Sequence, residues 1–266
     1  MRGWWREISG LVLPVACEGC GAPRGGLCAR CAGELAGSGT GAVRVRPAPE
    51  PAGLPEVHAA VPYEGAVRAL LIAHKERGAL GLAAALGEVL SRAVEAAVGE
   101  CGGRPLLLVP VPSSRRSVRA RGHDPTRRVA LAAAARLRRA GRPARVVPVL
   151  RQRRAVADQA GLGARGRWAN LAGALEVVPG GARLLAAGRV VVVDDLMTTG
   201  ATLAEAARAL RVVHPPFIPG TAERSRGDSA QHEFEQRVAA VIASSPASFE
   251  INRNSPRTWI VAGGER

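Results

Sequence analysis

The sequence predicts an α/β protein built around a mainly parallel β-sheet. Between residues 56 and 266, short apolar segments alternate with longer amphipathic ones, which is the order expected of repeated strand–helix units. Residues 190–193 are four consecutive valines, as in a strand whose two faces are both buried in a parallel sheet. Four cysteines within residues 17–31 predict, in addition, a small N-terminal metal-binding segment.

The first half of the main domain contains two predicted strands and two predicted helices. An apolar run predicts a strand at Val57–Pro62, and amphipathic patterns predict helices at Glu64–Arg77 and Leu80–Val98, separated by Gly78. Leu106–Pro112 is an apolar run punctuated by prolines, so we expect a buried strand that leads into a loop.

The second half continues the alternation. We expect a helix at Asp124–Ala140 that Gly141 closes, a strand at Arg145–Leu150, a short mixed segment at Ala164–Asn170, a strand at Arg189–Asp194, a helix at Thr199–Val212 and a final strand at Val238–Ala243. Residues 214–230 interrupt this pattern and are interpreted as a loop or an insert.

Composition divides the chain into three regions. Residues 1–36 form the cysteine-containing, zinc-ribbon-like segment, residues 37–55 a Gly/Pro-rich linker with one short strand, and residues 56–266 the main domain. The main domain includes the insert or loop at 212–236 and a polar tail at 248–266. No apolar run reaches the roughly 18–20 residues that span a bilayer, so we expect a cytoplasmic protein without membrane insertion.

The net charge of +15, from 37 basic and 22 acidic residues, indicates a polyanionic ligand, either nucleic acid or a phosphorylated metabolite. Nearly all of the excess is arginine, and Lys75 is the single lysine. A general arginine-rich composition is the alternative explanation of the charge.

The most informative segment is VVVVDDLMTTGATLAEAARAL, residues 190–210. Asp194 and Asp195 follow the valine run, so they are expected at the carboxyl end of a central strand, where α/β sheets bind ligands. Two adjacent carboxylates are suited to accept hydrogen bonds from ribose hydroxyls and to share a magnesium ion. The alternative is that the acids only terminate the strand.

The turn after the two acids is suited to a monophosphate. Gly200 lets the backbone approach the anion, successive amides at the start of the next helix point towards it, and hydroxyls add donors. The predicted phosphate-binding residues are Thr198, Thr199, Gly200, Ala201 and Thr202. The alternative is a helix cap without a ligand. No Walker A pattern occurs, which disfavours an ATPase.

A second anion site is predicted in a basic loop that follows the strand at 106–112. Its candidate pyrophosphate-binding residues are Arg115, Arg116, Arg119, Arg121 and Gly122. Lys75 is added because a compact ammonium suits a phosphate. An exposed basic loop and a solvated lysine are the alternatives.

The cysteines Cys17, Cys20, Cys28 and Cys31 form two Cys-x-x-Cys pairs separated by seven residues. Each pair presents two thiolates to one ion, and four sulfurs suit structural zinc. A redox pair and coincidental buried thiols are the alternatives.

The segment at 190–210 resembles the signature of type I phosphoribosyltransferases, and five blocks together resemble the ComF family, phosphoribosyltransferase-like proteins associated with DNA uptake. The blocks are the cysteine cluster, Tyr63-x-Gly65-x-x-Arg68 through His74-Lys75 and Gly78, V-P-V-P…R-x-R-G, Arg154…Gln159…Arg165…Asn170, and V-D-D-x-x-T-T-G-A-T. His123-Asp124 stands where the family usually has Phe-Asn.

The resemblance implies a type I phosphoribosyltransferase fold and a site for phosphoribosyl pyrophosphate (PRPP) with Mg²⁺. The first hypothesis is a transferase that moves the phosphoribosyl group to an acceptor; the sequence identifies neither the acceptor nor a general base. The second is a non-catalytic adaptor that binds single-stranded DNA or partner proteins during DNA uptake. A homo-oligomer is compatible with either.

Overall fold

The computed structural model describes residues 16–23, 25–37, 41–99, 103–154, 171–213 and 238–249. These residues form the strands β1 (Val43–Val45), β2 (Glu56–Pro62), β3 (Leu106–Pro110), β4 (Ala144–Val146), β5 (Leu150–Gln152), β6 (Leu175–Val177), β7 (Arg189–Met197) and β8 (Val238–Ser244). Six of them form one sheet in the order β1-β2-β8-β7-β3-β4, in which only β1 runs antiparallel to its neighbour. The predicted α/β protein with a mainly parallel sheet is confirmed.

Helices cover both faces of this sheet. They are α1 (Ala29–Ala36), α2 (Gly65–Glu76), α3 (Ala83–Val98), α4 (Arg115–Arg121), α5 (Pro125–Arg139), α6 (Gly181–Leu185) and α7 (Ala201–Val213), with a 3-10 turn at Leu80–Leu82. Apolar residues of α2, α3 and α5 pack on one face, and those of α7 pack on the other together with the antiparallel pair β5–β6. Each face therefore has its own apolar core.

The connections reverse direction between β3 and β7. From β3 the chain passes through α5 to β4 on one side, whereas from β7 it passes through α7 to β8 on the other side and on the other face. Open α/β sheets bind ligands at the carboxyl ends of the two strands beside such a reversal, the region here called the crevice. The pairing of β3 with β7 ends at Pro110 and Val193, while β7 continues beside β8 as far as Met197.

The bounds of two predicted strands were wrong. The strand predicted at Arg189–Asp194 continues to Met197 because β8 pairs with it beyond the two acids. The strand predicted at Arg145–Leu150 is divided between β4 and β5, which belong to different sheets. Pro148 lies at the division; it has no N–H to donate to a neighbouring strand, so the chain leaves the central sheet there.

The cysteine segment packs into the main core. Cys17, Cys31 and Leu35 are buried in the same apolar cluster as Leu70 of α2 and Leu90 of α3. The short strand predicted in the linker is β1. The mixed segment Ala164–Asn170, the loop at 214–230 and the tail beyond Phe249 lie outside the described residues.

Candidate functional site

The two adjacent acids of β7 lie beyond the end of β3, at the mouth of the crevice. Asp195 is buried, with 6% of its surface exposed, and Asp194 is half-buried. The backbone N–H of Asp195 donates to Asp194 Oδ1 at 2.8 Å, and the Thr126 hydroxyl at the start of α5 donates to the same oxygen at 3.5 Å. The acids are thus inside the strand rather than after it, but at its carboxyl end, as the sequence predicts.

Lys75 reaches this pair from the last turn of α2. Its Nζ donates to Oδ1 of Asp195 at 3.0 Å and to Oδ2 at 2.7 Å, across 120 positions of sequence. The Lys75 side chain is thus ion-paired while 38% of it stays exposed, and its predicted contact with a phosphate stays a prediction. An ammonium has three donors, and two of them are used on Asp195.

The close approach of Asp194, Asp195 and Lys75 shifts the pKa of two of these residues. Burial and the charge of Asp195 together raise the pKa of Asp194 well above its usual value. Burial alone would lower the pKa of Lys75, but the charges of Asp195 and Asp194 raise it above its usual value. In the described part of the chain, one ammonium therefore lies beside two neighbouring carboxyl groups.

The turn at residues 198–202 follows directly and leads into α7. Gly200 has φ +75°, a left-handed conformation that favours glycine. A Cβ at this position would lie 2.9 Å from Leu54 Cδ1, so the linker packs against the turn and a side chain here would displace that of Leu54. Thr198 is exposed and Thr199 half-buried. The Thr199 hydroxyl accepts the backbone N–H of Ala201 at 3.5 Å and so caps the start of α7.

The basic segment after β3 is a helix, α4, and not the loop that the sequence predicts. The Ser114 hydroxyl caps it by accepting the N–H of Ser117 at 3.0 Å, and Gly122 ends it with φ +74°. The N–H of Gly122 donates to the Val118 carbonyl at 2.8 Å. The amide of Gly122 is consequently used in the helix cap, which contradicts its predicted contact with an anion.

The arginines of α4 fall into two groups. Arg121 forms a two-bonded ion pair with Glu76 of α2, Nη2–Oε1 at 2.7 Å and Nε–Oε2 at 3.0 Å. Arg115, Arg116 and Arg119 are exposed, and no residue in the described part of the chain forms an ion pair with them. Three of the four predicted arginines are thus available to a ligand, while Arg121 fastens α4 to the turn of α2 that carries Lys75.

Two histidines connect the same elements and were not predicted as site residues. His123 Nδ1 lies 3.0 Å from the Arg121 carbonyl and its Nε2 lies 3.4 Å from the His74 carbonyl. His74, the residue before Lys75, is buried with its ring 6.0 Å from that of His123, and burial lowers its pKa. In the sequence, only their positions could have indicated a role: His74 precedes Lys75, and His123 follows the basic segment.

The four predicted metal ligands lie together. The sulfurs of Cys17, Cys20, Cys28 and Cys31 are all within 4.8 Å of one another, and those of Cys20 and Cys28 are 3.6 Å apart. Tetrahedral zinc with Zn–S bonds of about 2.3 Å separates its sulfurs by about 3.8 Å. The group could therefore hold a metal such as zinc.

Hydrogen bonding and burial divide the thiols by acidity. The Cys28 backbone N–H donates to Cys17 Sγ at 3.3 Å and lowers the pKa of Cys17 to about 6, whereas burial raises the pKa of Cys31 to about 12. Bound metal would hold both as thiolates.

Arg154, which follows β5, donates to the carbonyl of Ala172, which precedes β6, at 2.9 Å. This hydrogen bond joins the chain at the open end of the β5–β6 pair. Gln159, Arg165 and Asn170, which share a sequence block with it, lie outside the described residues.

No protein-family model matches this chain, and no curated protein matches it. None of the helices in the described part of the chain has the length and apolar character that a membrane span requires.

Proposed function

We propose that this chain is a ComF-like protein of the type I phosphoribosyltransferase superfamily that binds PRPP with Mg²⁺ in the crevice between β3 and β7. The observation that supports the proposal most strongly is the meeting of Asp194, Asp195 and Lys75 at the carboxyl end of β7, immediately before the turn that opens α7. Sugar and phosphate need different partners, and the nine residues 194–202 of one strand–helix unit supply both.

In this proposal the carboxylates of Asp194 and Asp195 accept hydrogen bonds from the ribose hydroxyls and hold Mg²⁺. The raised pKa of Asp194 fits this role, because burial and the charge of Asp195 disfavour its carboxylate form and a bound divalent cation would favour that form. The 5-phosphate lies on the turn at 198–202, where the first amides of α7 and the threonine hydroxyls donate to it.

The pyrophosphate lies between Lys75 and the exposed arginines of α4. The third N–H of the Lys75 ammonium is free to donate to a phosphate oxygen, and Arg115, Arg116 and Arg119 supply further positive charge. In the transfer, the bond from the anomeric carbon to pyrophosphate breaks and a bond to the acceptor forms. The cationic groups stabilise the negative charge of the leaving pyrophosphate.

Calorimetric titration tests binding. We expect PRPP to bind only when Mg²⁺ is present, and more tightly than ribose 5-phosphate or pyrophosphate alone. The Asp194→Asn/Asp195→Asn variant should bind at least about tenfold more weakly, the loss of roughly 1.4 kcal/mol. Glu88→Gln, which changes an acid of α3 away from the crevice, is the matched control. Unchanged affinity in the double variant would contradict the proposed site.

Turnover is a separate test. The protein is mixed with labelled PRPP, Mg²⁺ and candidate nucleobases, and pyrophosphate release is followed. Release that depends on an acceptor supports the transferase; binding without release supports an adaptor.

The second candidate function, a nucleic-acid-binding adaptor of DNA uptake, is favoured by one observation. Arg115, Arg116 and Arg119 of α4 and Arg127 and Arg128 of α5 are all exposed, and no described acid forms an ion pair with them. Neutralised phosphates make affinity fall steeply with salt. Single-stranded DNA binding measured across a salt series tests it, and a flat salt response or no binding would remove this candidate.

A further inference from the structure

The cysteine segment holds α2 at both of its ends. At the start of α2, the Glu34 carboxylate of α1 accepts the N–H of Ala66 at 3.2 Å. At the end of α2, Arg77 donates to the Glu18 carbonyl at 3.2 Å and pairs with the Glu18 carboxylate at 3.1 Å. Glu18 lies between two of the metal-ligating cysteines, so the second contact joins α2 directly to the metal-binding turn.

Part of the same segment packs directly against α2. A Cβ at Gly19 would lie 2.8 Å from Cys31 Sγ and 3.5 Å from the Ala66 Cβ. Cys17 and Cys31 are buried in the apolar cluster that also contains Leu70 and Leu71 of α2. A change in the cysteine turn therefore changes the surroundings of α2.

The end of α2 contacts both the cysteine segment and the crevice. Lys75 binds Asp195 and Glu76 binds Arg121 of α4, while Arg77, the next residue, binds Glu18. Three consecutive residues thus join the metal-binding turn, the acidic pair and the basic helix.

We propose that the metal-binding segment positions Lys75 on Asp195 through the Glu18–Arg77 contact, so that the bound metal holds the anion site in its binding geometry. Arg77 and Glu18 are positioning residues in this proposal. The positioning of Lys75 is independent of the ligand, and only its effect on PRPP affinity rests on the proposed function. The Arg77 side chain is 55% exposed, so its contribution is that of a surface pair.

The single lysine of the sequence allows a direct test. An amine-reactive ester modifies Lys75 and the N-terminal amine, and peptide mass spectrometry separates the two. The acylation rate of Lys75 then reports how firmly its ammonium is held on Asp195. Asp195→Asn, which removes the acceptor, defines the rate of the released lysine.

We expect Arg77→Ala and Glu18→Gln to raise the Lys75 acylation rate about two- to fivefold, the range of an exposed ion pair, with zinc content and melting temperature retained. Removal of the metal with a chelator should raise the rate further, towards that of Asp195→Asn. The matched control is Arg92→Ala: Arg92 holds the same segment, through the carbonyls of Ala36 and Leu35, but from α3. Its acylation rate should stay at the wild-type value.

Unchanged acylation in Arg77→Ala and after metal removal would overturn the proposal, and so would an equal increase in Arg92→Ala, which would indicate general loosening. A double-mutant cycle adds a functional readout: Arg77→Ala should weaken Mg²⁺–PRPP binding in the wild-type background and have no effect in a Lys75→Ala background. Absence of PRPP binding by the wild-type protein would count against the proposed function alone, because acylation uses no PRPP.

Discussion

Replacing Lys75 with methionine removes the ammonium and keeps most of its apolar stem. Asp195 would lose hydrogen bonds of 3.0 and 2.7 Å and its ion-pair partner, while its side chain stays 8% exposed beside Asp194. Asp194 and Asp195 would then lie side by side, and no positively charged residue of the described chain would form an ion pair with either. We expect Lys75→Met to lower the free energy of unfolding measured without Mg²⁺.

The magnitude follows from burial. Removing one partner of a fully buried ion pair costs about 3–5 kcal/mol. The Lys75 side chain is 38% exposed, so water screens part of this interaction and we expect about 1–3 kcal/mol. For a protein of this size each kcal/mol lowers the melting temperature by about 2–4 °C.

Urea and thermal unfolding of three variants measure the effect. Lys75→Met/Asp195→Asn removes both charges and should recover most of the stability lost by Lys75→Met. Arg116→Met removes an exposed positive charge from α4 and should leave stability within about 0.5 kcal/mol of wild type. Equal losses in Lys75→Met and Arg116→Met, or no recovery in the double variant, would refute the reasoning.

Three further predictions concern the turn, the metal and the acidic pair. Gly200→Ala should lower unfolding stability in urea by about 1–3 kcal/mol, because φ is +75° and the added Cβ would displace the Leu54 side chain; wild-type stability would contradict the described turn. Cys17→Ser should lose its metal in elemental analysis, whereas Cys101→Ser, which belongs to neither Cys-x-x-Cys pair of the sequence, should retain it; full metal content in Cys17→Ser would refute the site. Because burial raises the pKa of Asp194 and Mg²⁺ needs the carboxylate, Mg²⁺–PRPP affinity should increase as pH rises through that raised pKa, with proton release in calorimetry. Asp194→Asn should abolish the release, and an equal release in that variant would contradict the assignment.

The sequence predicted the elements whose signal is local. A run of valines needs burial on both faces, which only a central strand provides, and Asp194 and Asp195 were placed at its carboxyl end by adjacency alone. Cys-x-x-Cys spacing likewise places two sulfurs on one turn, and the structure brings both pairs together. These features depend on neighbours within a few positions.

Features that depend on distant partners were not predictable in the same way. No local pattern connects Lys75 with Asp195, because the topology of the sheet brings them together across 120 positions. The three-residue strands β5 and β6 are too short to show a period. Helix α4 has no apolar face, although Ser114 before it and Gly122 after it are cap signals that predict a helix between them.

A crystal structure of the protein with Mg²⁺ and PRPP tests the central claim most directly. We predict that the ribose hydroxyls contact Asp194 and Asp195, that the 5-phosphate lies on the turn at 198–202, and that the pyrophosphate lies beside Lys75. Density for the ligand anywhere else on the molecule, or a crevice that stays free of it at saturating concentrations, would contradict the account.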